Sequence, residues 1–265
     1  MILSPYIHWS VDPEIFRFGA FTIRWYGLLF ATSFFLGYRI IQWIFQKEKL
    51  PKTDVDILLF YVLFGVVIGA RLGHCLFYEP GYYLSNPIEI IKFWRGGLAS
   101  HGAAIGILIA IYLYSKKKPK QTYFWVVDRV VIVVALSGLF IRMGNLFNSE
   151  ILGKATDVPW AFIFTRVDMI PRHPTQIYEA LAYLSIFLLL ITVYRKFHPV
   201  FPGMLFGIFL TCIFGFRIFV EFFKENQSTF EAGMTLNMGQ LLSIPFLLIG
   251  LFLIFRSRFR KAKTT

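Results

Sequence analysis

Seven stretches of the chain, approximately residues 18–45, 56–78, 98–115, 124–146, 175–194, 203–223 and 237–255, are dominated by apolar side chains. Each runs for roughly the 20 residues that a helix needs to cross the hydrocarbon core of a bilayer. Seven such helices would use most of the 265 residues. The expected fold is therefore an all-α polytopic membrane protein, with seven transmembrane helices forming a single domain over residues 1–265. Composition agrees: 57% of residues are hydrophobic and only 16% charged, where a soluble domain is about half apolar and a quarter charged. The opening "MILSPYIHWSVDPEIF" has no basic n-region and no small-residue cleavage site, so the first helix is expected to be retained rather than removed as a signal peptide.

A formal charge of +12 would suggest nucleic acid in a soluble protein, but here the placement of the charges matters more than their sum. Connections between spans alternate sides. The set "KEKLPK", "SKKKPK", "YRK" and "RSRFRKAK" holds 14 Lys and Arg; the other set holds seven, Arg17, Lys92, Arg95, Lys154, Arg166, Arg172 and Lys224. The richer set is expected on the cytoplasmic side, which leaves the N-terminus outside and the C-terminus inside. Nucleic acid is not an expected partner. The two cysteines, Cys75 and Cys212, lie inside apolar stretches, with neither a disulfide framework nor metal-ligand spacing. The acids are scattered and no His-x-x-x-His or Cys-x-x-Cys occurs, so neither metal nor organic cofactor is expected. The connections at 79–97 and 147–174 are long and fall on the outer side. They are read as a small outward-facing cap, with short strands in "VPWAFIFTRVD" and an interfacial helix in "PIEIIKFWRG".

Six arginines lie in or at the ends of the apolar stretches: Arg24, Arg39, Arg71, Arg129, Arg142 and Arg217. Charge in a bilayer is costly, so each needs a partner. Counted from the cytoplasmic ends, Arg71, Arg142 and Arg217 rise about 14 to 18 residues, or roughly 20 to 27 Å at 1.5 Å per residue. Tyr26 with Arg24, His101, and Gln176 with Glu179 reach a similar depth from the outer side. Together they predict one polar cluster in the outer half of the membrane. Arg39, Asp56, Asp128 and Arg129 sit at inner ends, where snorkelling or local pairing accounts for them. In the outer cluster, Glu150, Glu179 and Glu221 are too few for Arg24, Arg71, Arg142 and Arg217, with the cap's Arg166 and Arg172 as further candidates. The expected missing partner is a phosphate, which suits the planar guanidinium fork. The competing reading is a set of ion pairs that fixes helix register, and Arg217 with Glu221 at i, i+4 fits it. Gly65, Gly69 and Gly73, with Gly102 and Gly106, give the small-xxx-small pattern of close helix approach.

"RMGNLFNSEILG", residues 142–153, resembles the signature of the bacterial prolipoprotein diacylglyceryl transferase family, Gly-Arg-x-Gly-Asn-Phe-x-Asn-x-Glu-x-x-Gly. "RWYGL" at 24–28, "GARLGH" at 69–74, "GGLASHG" at 96–102, "RHPTQIYE" at 172–179, "FRIFVEFF" at 216–223 and "MGQLLSIP" at 238–245 extend the resemblance along the chain. Ile141 and Leu146 depart from the signature's glycine and phenylalanine, and Ile213 stands where relatives often have a tyrosine. The resemblance implies a transferase of the bacterial inner membrane, its site towards the outer leaflet. It would move the sn-1,2-diacylglyceryl group of phosphatidylglycerol onto the lipobox cysteine of a prolipoprotein signal peptide and release glycerol phosphate. It also implies roles for Tyr26, His101, Arg142, Asn145, Glu150, Gly153, Arg217 and Glu221.

Sulfur displaces a phosphate ester in that reaction, and charge grows on the departing phosphate. The expected catalytic residues are therefore Arg142 and Arg217 as phosphate clamps and His101 as the base for a thiol whose free pKa is about 8.5. Tyr26, Arg71, Asn145, Glu150, Gly153 and Glu221 are expected to bind substrate or to hold those that do. An anion transporter would also explain arginines in the spans, but the cluster is one-sided and no internal repeat is visible. An intramembrane serine protease would use Ser137 and His101, yet "ALSG" lacks a Gly-x-Ser-Gly pattern. A purely structural scaffold predicts a cluster that affects stability alone.

Overall fold

The computed structural model describes residues 6–19, 21–225 and 233–262. The first five residues and Lys263 of the basic tail lie outside the described residues. Two compact units divide the chain: Tyr38–Arg129 forms one, and Met1–Gly37 with Val130–Thr265 forms the other.

Two helices of the Tyr38–Arg129 unit, α2 (Lys52–Phe77) and α5 (Ser100–Lys117), pack along the expected glycine seam. A Cβ on Gly69 would come 2.8 Å from the Cα of Gly106, and one on Gly73 would come 2.7 Å from the Cα of Gly102. Backbone meets backbone here, an approach that only glycine permits. Near the basic connections of this unit polar groups pair locally. Asp54 accepts from Gln121 at 2.6 Å and Tyr38 donates to Asp56 at 2.7 Å. Arg129 forks onto both oxygens of Glu48 at 2.9 and 3.0 Å. Between the two long helices run α3 (Pro80–Ser85), α4 (Pro87–Ile91) and a 3₁₀ turn, Phe93–Arg95.

The other unit starts with a short strand, β1 (Ile7–Trp9), and a hairpin, β2 (Glu14–Phe18) with β3 (Phe21–Arg24), which leads directly into α1 (Trp25–Lys47). The apolar run from residue 18 is thus strand before it is helix. Helix α6 (Tyr123–Asn148) is followed by β4 (Phe162–Phe164) and β5 (Pro171–Arg172), and β1 pairs parallel to β4 to give a sheet ordered β1-β4-β5. Phe162, Phe164 and Leu146 make a buried cluster with Trp9, Met143, Leu152 and Ile177 against it, and the Trp9 indole donates to the Leu146 carbonyl at 3.0 Å. This sheet sits on the end of α6 that carries Arg142. Helices α7 (Thr175–Lys196), α8 (Met204–Val220) and α9 (Met238–Ala262) follow, with a 3₁₀ turn, Glu221–Phe223, after α8.

Six helices among the described residues are long and apolar enough to cross a membrane: Trp25–Lys47, Lys52–Phe77, Tyr123–Asn148, Thr175–Lys196, Met204–Phe223 and Met238–Ser257. Their outward faces carry large apolar side chains such as Phe64, Leu248 and Phe252, a surface suited to lipid and not to water. The protein is a mostly helical, polytopic membrane protein. Helix α5, at the stretch expected around 98–115, has 18 residues and is not one of the six, because Ser100 and His101 at its start and Lys116 and Lys117 at its end shorten its apolar run. Gly106→Val should force α2 and α5 apart and cost about 1 to 3 kcal/mol, read as a lower thermal midpoint in detergent. Gly81→Ala, at a position with nothing within 4 Å of the added Cβ, should leave that midpoint unchanged.

Candidate functional site

The last two turns of α6 place Arg142 and Asn145 on one face, three residues apart. The Arg142 guanidinium donates to Asn145 Oδ1 at 3.2 Å and pairs with Glu179 Oε1 of α7 at 3.2 Å. Asn145 in turn donates to Glu150 Oε1 at 2.7 Å, and Asn148 reaches the same oxygen at 3.2 Å. Glu150 sits in a sharp reversal, because Ser149 and Ile151 on either side both have positive φ, 55° and 57°. A β-branched residue in that region is a conformational outlier. The turn is held by Glu150 N–H to the Asn145 carbonyl at 3.1 Å and by the Gln176 amide to the Glu150 carbonyl at 2.7 Å.

A second line of charge runs from Glu179. Lys224, 2% exposed, sets its Nζ 3.7 Å from Glu179 Oε1 and 3.1 Å from Glu221 Oε1. Glu221 also faces Arg217 Nε at 3.6 Å and accepts from the Asn237 amide at 3.1 Å. The sequence Arg142, Glu179, Lys224, Glu221, Arg217 is therefore a continuous relay of alternating charge. Its last member is its most open: the Arg217 side chain is 45% exposed against 15% for Arg142. Among the described residues no other acid lies within salt-bridge distance of Arg217.

Close approach shapes the site at three glycines. A Cβ at Gly144 would lie 2.6 Å from the Tyr26 ring, one at Gly153 would lie 2.8 Å from the His173 Cβ, and one at Gly239 would lie 2.7 Å from the Glu221 carboxylate carbon. Gly144 thus lets Tyr26 rest on α6. Gly153 bridges to Lys224 as isolated β pairing, and its carbonyl accepts from Arg172 at 3.2 Å.

Of the residues expected in one cluster, Tyr26, Arg142, Asn145, Glu150, Gly153, Gln176, Glu179, Arg217 and Glu221 belong to the unit that contains the relay; Arg71 and His101 belong to the Tyr38–Arg129 unit. His101 is exposed at the second position of α5, its ring against Phe77 and Tyr78. Arg71 is buried and donates to four carbonyls, Glu89 at 2.6 Å, Ile90 at 2.9 Å, Gly96 at 2.6 Å and Gly97 at 3.2 Å. Those bonds fold the 79–97 segment, where an open cleft of about 350 Å³ is lined by Arg71, His74, Tyr83, Glu89 and Arg95. Lys92, with Arg95, holds the Glu89 carboxyl below the usual carboxylate range.

The expected surplus of arginine over acid is corrected by three carboxylates that lie outside the apolar stretches. Arg24 is exposed at the end of β3 and pairs with Glu14 at 3.3 Å. Arg172 pairs with Asp168 and Glu225, both at 2.7 Å. With Lys224 joining, the relay and its neighbour Glu150 hold three cations and three acids. By sequence position Lys224 is a loop charge, because it follows an apolar run; its i, i+3 spacing from Glu221 is the signal that it pairs instead.

A family model described as "Prolipoprotein diacylglyceryl transferase" matches residues 13–256. The chain is 50% identical to a protein of Chloroherpeton thalassium over 97% of this chain and 96% of that one. It is 47% identical to one of Tolumonas auensis, over 97% and 100%, and 48% identical to one of Bacteroides fragilis, over 94% of each. All three relatives are named phosphatidylglycerol--prolipoprotein diacylglyceryl transferase.

Replacing Lys224 with Met would leave two buried carboxylates without their shared cation, a loss of about 3 to 5 kcal/mol that denaturant melts in detergent should register. The segment 153–173 carries a pH response of predictable sign. Burial lowers the His173 pKa, whereas Arg172 holds the Asp168 carboxyl below its ordinary range. The folded state therefore prefers neutral His173, and its contribution is present above the ordinary value of about 6.5 and lost as pH falls towards the lower folded value. Hydrogen-exchange protection over residues 153–173, measured against the intrinsic amide rate at each pH, should fall between about pH 7 and pH 5. His173→Phe should flatten that fall, because the Asp168 pair does not titrate in this range.

Proposed function

Because the chain belongs to the prolipoprotein diacylglyceryl transferase family, we propose that it moves the sn-1,2-diacylglyceryl group of phosphatidylglycerol to the lipobox cysteine of prolipoproteins, the first step of lipoprotein maturation. The thiol sulfur bonds to the glyceryl carbon as a thioether. The carbon–oxygen bond to phosphate breaks with its electron pair going to oxygen, and sn-glycerol 1-phosphate leaves. The observation that carries the residue roles is the charge relay that ends on an exposed Arg217 guanidinium.

In this reading Arg217 binds the phosphate with its open face, and Arg142 adds positive potential from the other end of the relay. Both stabilise charge that grows as the bond breaks, which is where binding accelerates a reaction. Glu221 and Glu179 orient the two guanidinium groups and do not react. Asn145, fixed between Arg142 and Glu150, and Tyr26, seated on Gly144, give the headgroup hydrogen-bonding partners. Gly153 keeps the turn after Glu150 close to His173. His101 takes the thiol proton, and Arg71 acts on the lipid through the 79–97 segment that it folds.

The architecture that serves this reaction has α5 as a seventh span in the inner membrane. The N-terminus lies outside, the C-terminus is cytoplasmic, the β1-β4-β5 sheet belongs to an outer cap, and the site opens to the outer leaflet. Lipid and signal-peptide helix both arrive from within the membrane. Support for the orientation comes from the excess of Lys and Arg on one set of connections.

Purified protein mixed with phosphatidylglycerol and a lipobox peptide should yield a diacylglyceryl peptide and glycerol phosphate by mass. Arg142→Ala and Arg217→Ala should each lower kcat/KM by about 100-fold or more and His101→Ala by a comparable factor. Wild-type rates in the two arginine variants would remove them from the site, and absence of both products from folded wild-type protein would overturn the function.

A further inference from the structure

A small cavity of about 10 Å³ lies between α7 and α8, lined by Glu179, Tyr183, Ile213, Phe216 and Arg217 among others. That volume holds a single water-sized group. Glu179 is 4% exposed, and its two oxygens differ. Oε1 faces Arg142 and Lys224, whereas Oε2 is buried and meets no hydrogen-bond donor among the described residues. A buried acceptor of this kind is costly unless something donates to it. Its charge does not lack for cations; what Oε2 lacks is a proton donor.

We propose that Glu179 reads the headgroup of the donor lipid: Oε2 accepts a hydrogen bond from a headgroup hydroxyl while the phosphate of the same headgroup lies on Arg217. This rests on the diacylglyceryl-transfer reading above. The cavity that both side chains line admits only a hydroxyl-sized group, so the hydroxyl enters it while the phosphate stays on the exposed face of Arg217. Charge decides which donor is accepted. With Arg142 and Lys224 already on Oε1 and Arg217 on the opposite wall, an ammonium headgroup would add a further cation among three, whereas a neutral hydroxyl brings the proton without the charge. Size acts in the same direction, because Ile213 and the Tyr183 ring leave no space for a trimethylammonium. Glu179 thereby becomes a specificity-determining residue, selecting a polyol phosphate headgroup over an amine.

The test compares wild-type protein on phosphatidylglycerol and on phosphatidylpropanol, which has the same carbon chain in its headgroup and no hydroxyl. Loss of a hydrogen bond to a charged acceptor should lower kcat/KM on phosphatidylpropanol by about 10- to 100-fold, and phosphatidylethanolamine should also be a poor donor. Equal rates on phosphatidylglycerol and phosphatidylpropanol would overturn the assignment of Glu179 while leaving the transferase reading intact. Failure on phosphatidylglycerol itself would overturn both. Glu179→Gln, whose neutral amide is a weaker acceptor, should narrow the ratio between the two lipids. If both rates fall in proportion and the ratio is unchanged, Glu179 is merely structural and the proposal fails. Equal wild-type rates on the two lipids overturn the proposal whether or not that variant folds. Glu179→Asp, which keeps the charge and withdraws the oxygens, must also narrow the ratio, whereas Asn145 and Tyr26 are untouched by either change.

Discussion

Glu179 Oε1 is shared by two cations from different parts of the chain, Arg142 of α6 at 3.2 Å and Lys224, beyond α8, at 3.7 Å. In apolar surroundings each of these charges alone would be expensive, and each is tolerable only while the others hold their places. The shared oxygen therefore fixes the end of α6, the start of α7 and the segment after α8 against one another. Backbone bonds reinforce the same three-way junction: Lys154 N–H meets the Phe223 carbonyl at 2.8 Å and Glu225 N–H meets the Leu152 carbonyl at 3.2 Å. Only a junction held from both sides can leave Arg217 half open without letting it collapse onto the nearest acid.

The turn at Ser149 and Ile151 follows from that junction. Two departures into the left-handed region, one on each side of Glu150, cost of order 1 to 3 kcal/mol each, and a regular helix end would avoid them. A regular end would also carry Glu150 past Asn145. The reversal instead returns its carboxylate to the Asn145 amide and its carbonyl to Gln176, so local strain is offset by bonds that stop Asn145 from rotating. Arg142, which donates to Asn145 Oδ1, gains a fixed partner on one side and Glu179 on the other.

Much of this was legible in the sequence, and the parts that were not share a cause. Long apolar runs located the six long helices, and the glycine spacing located the α2–α5 seam, because both depend on residues close in sequence. Expecting Arg142, Arg217, Glu179 and Gln176 in one neighbourhood needed only the helical rise. Pairing was harder. Arg24 was counted with the cluster because its apolar neighbours look helical, yet Thr22 and Ile23 pair with Arg17 and Phe16 in a hairpin that ends before α1. The acids that neutralise Arg24 and Arg172 lie outside the apolar stretches, so a count restricted to those stretches exaggerated the positive excess. Strand β1 pairs with β4 across about 155 residues, a contact that no local pattern announces. Lys224 combined both difficulties, being a loop lysine by position and a buried cation by contact.

Near neutrality has a consequence for turnover. A cluster with several unpaired arginines would bind a phosphate diester strongly, but it would bind the released phosphate monoester more strongly still, since that product carries more charge. Affinity common to the bound states does not accelerate the chemical step, and tight product binding would slow release. In the relay the internal acids already answer most of the positive charge, and Arg217 alone offers an open face. In the proposed reading an arriving diester would gain one good guanidinium contact, and further stabilisation would grow only as charge accumulates on the departing oxygen. When glycerol phosphate leaves, Glu221 remains beside Arg217 at 3.6 Å, so the emptied site is again internally paired and no buried charge is abandoned.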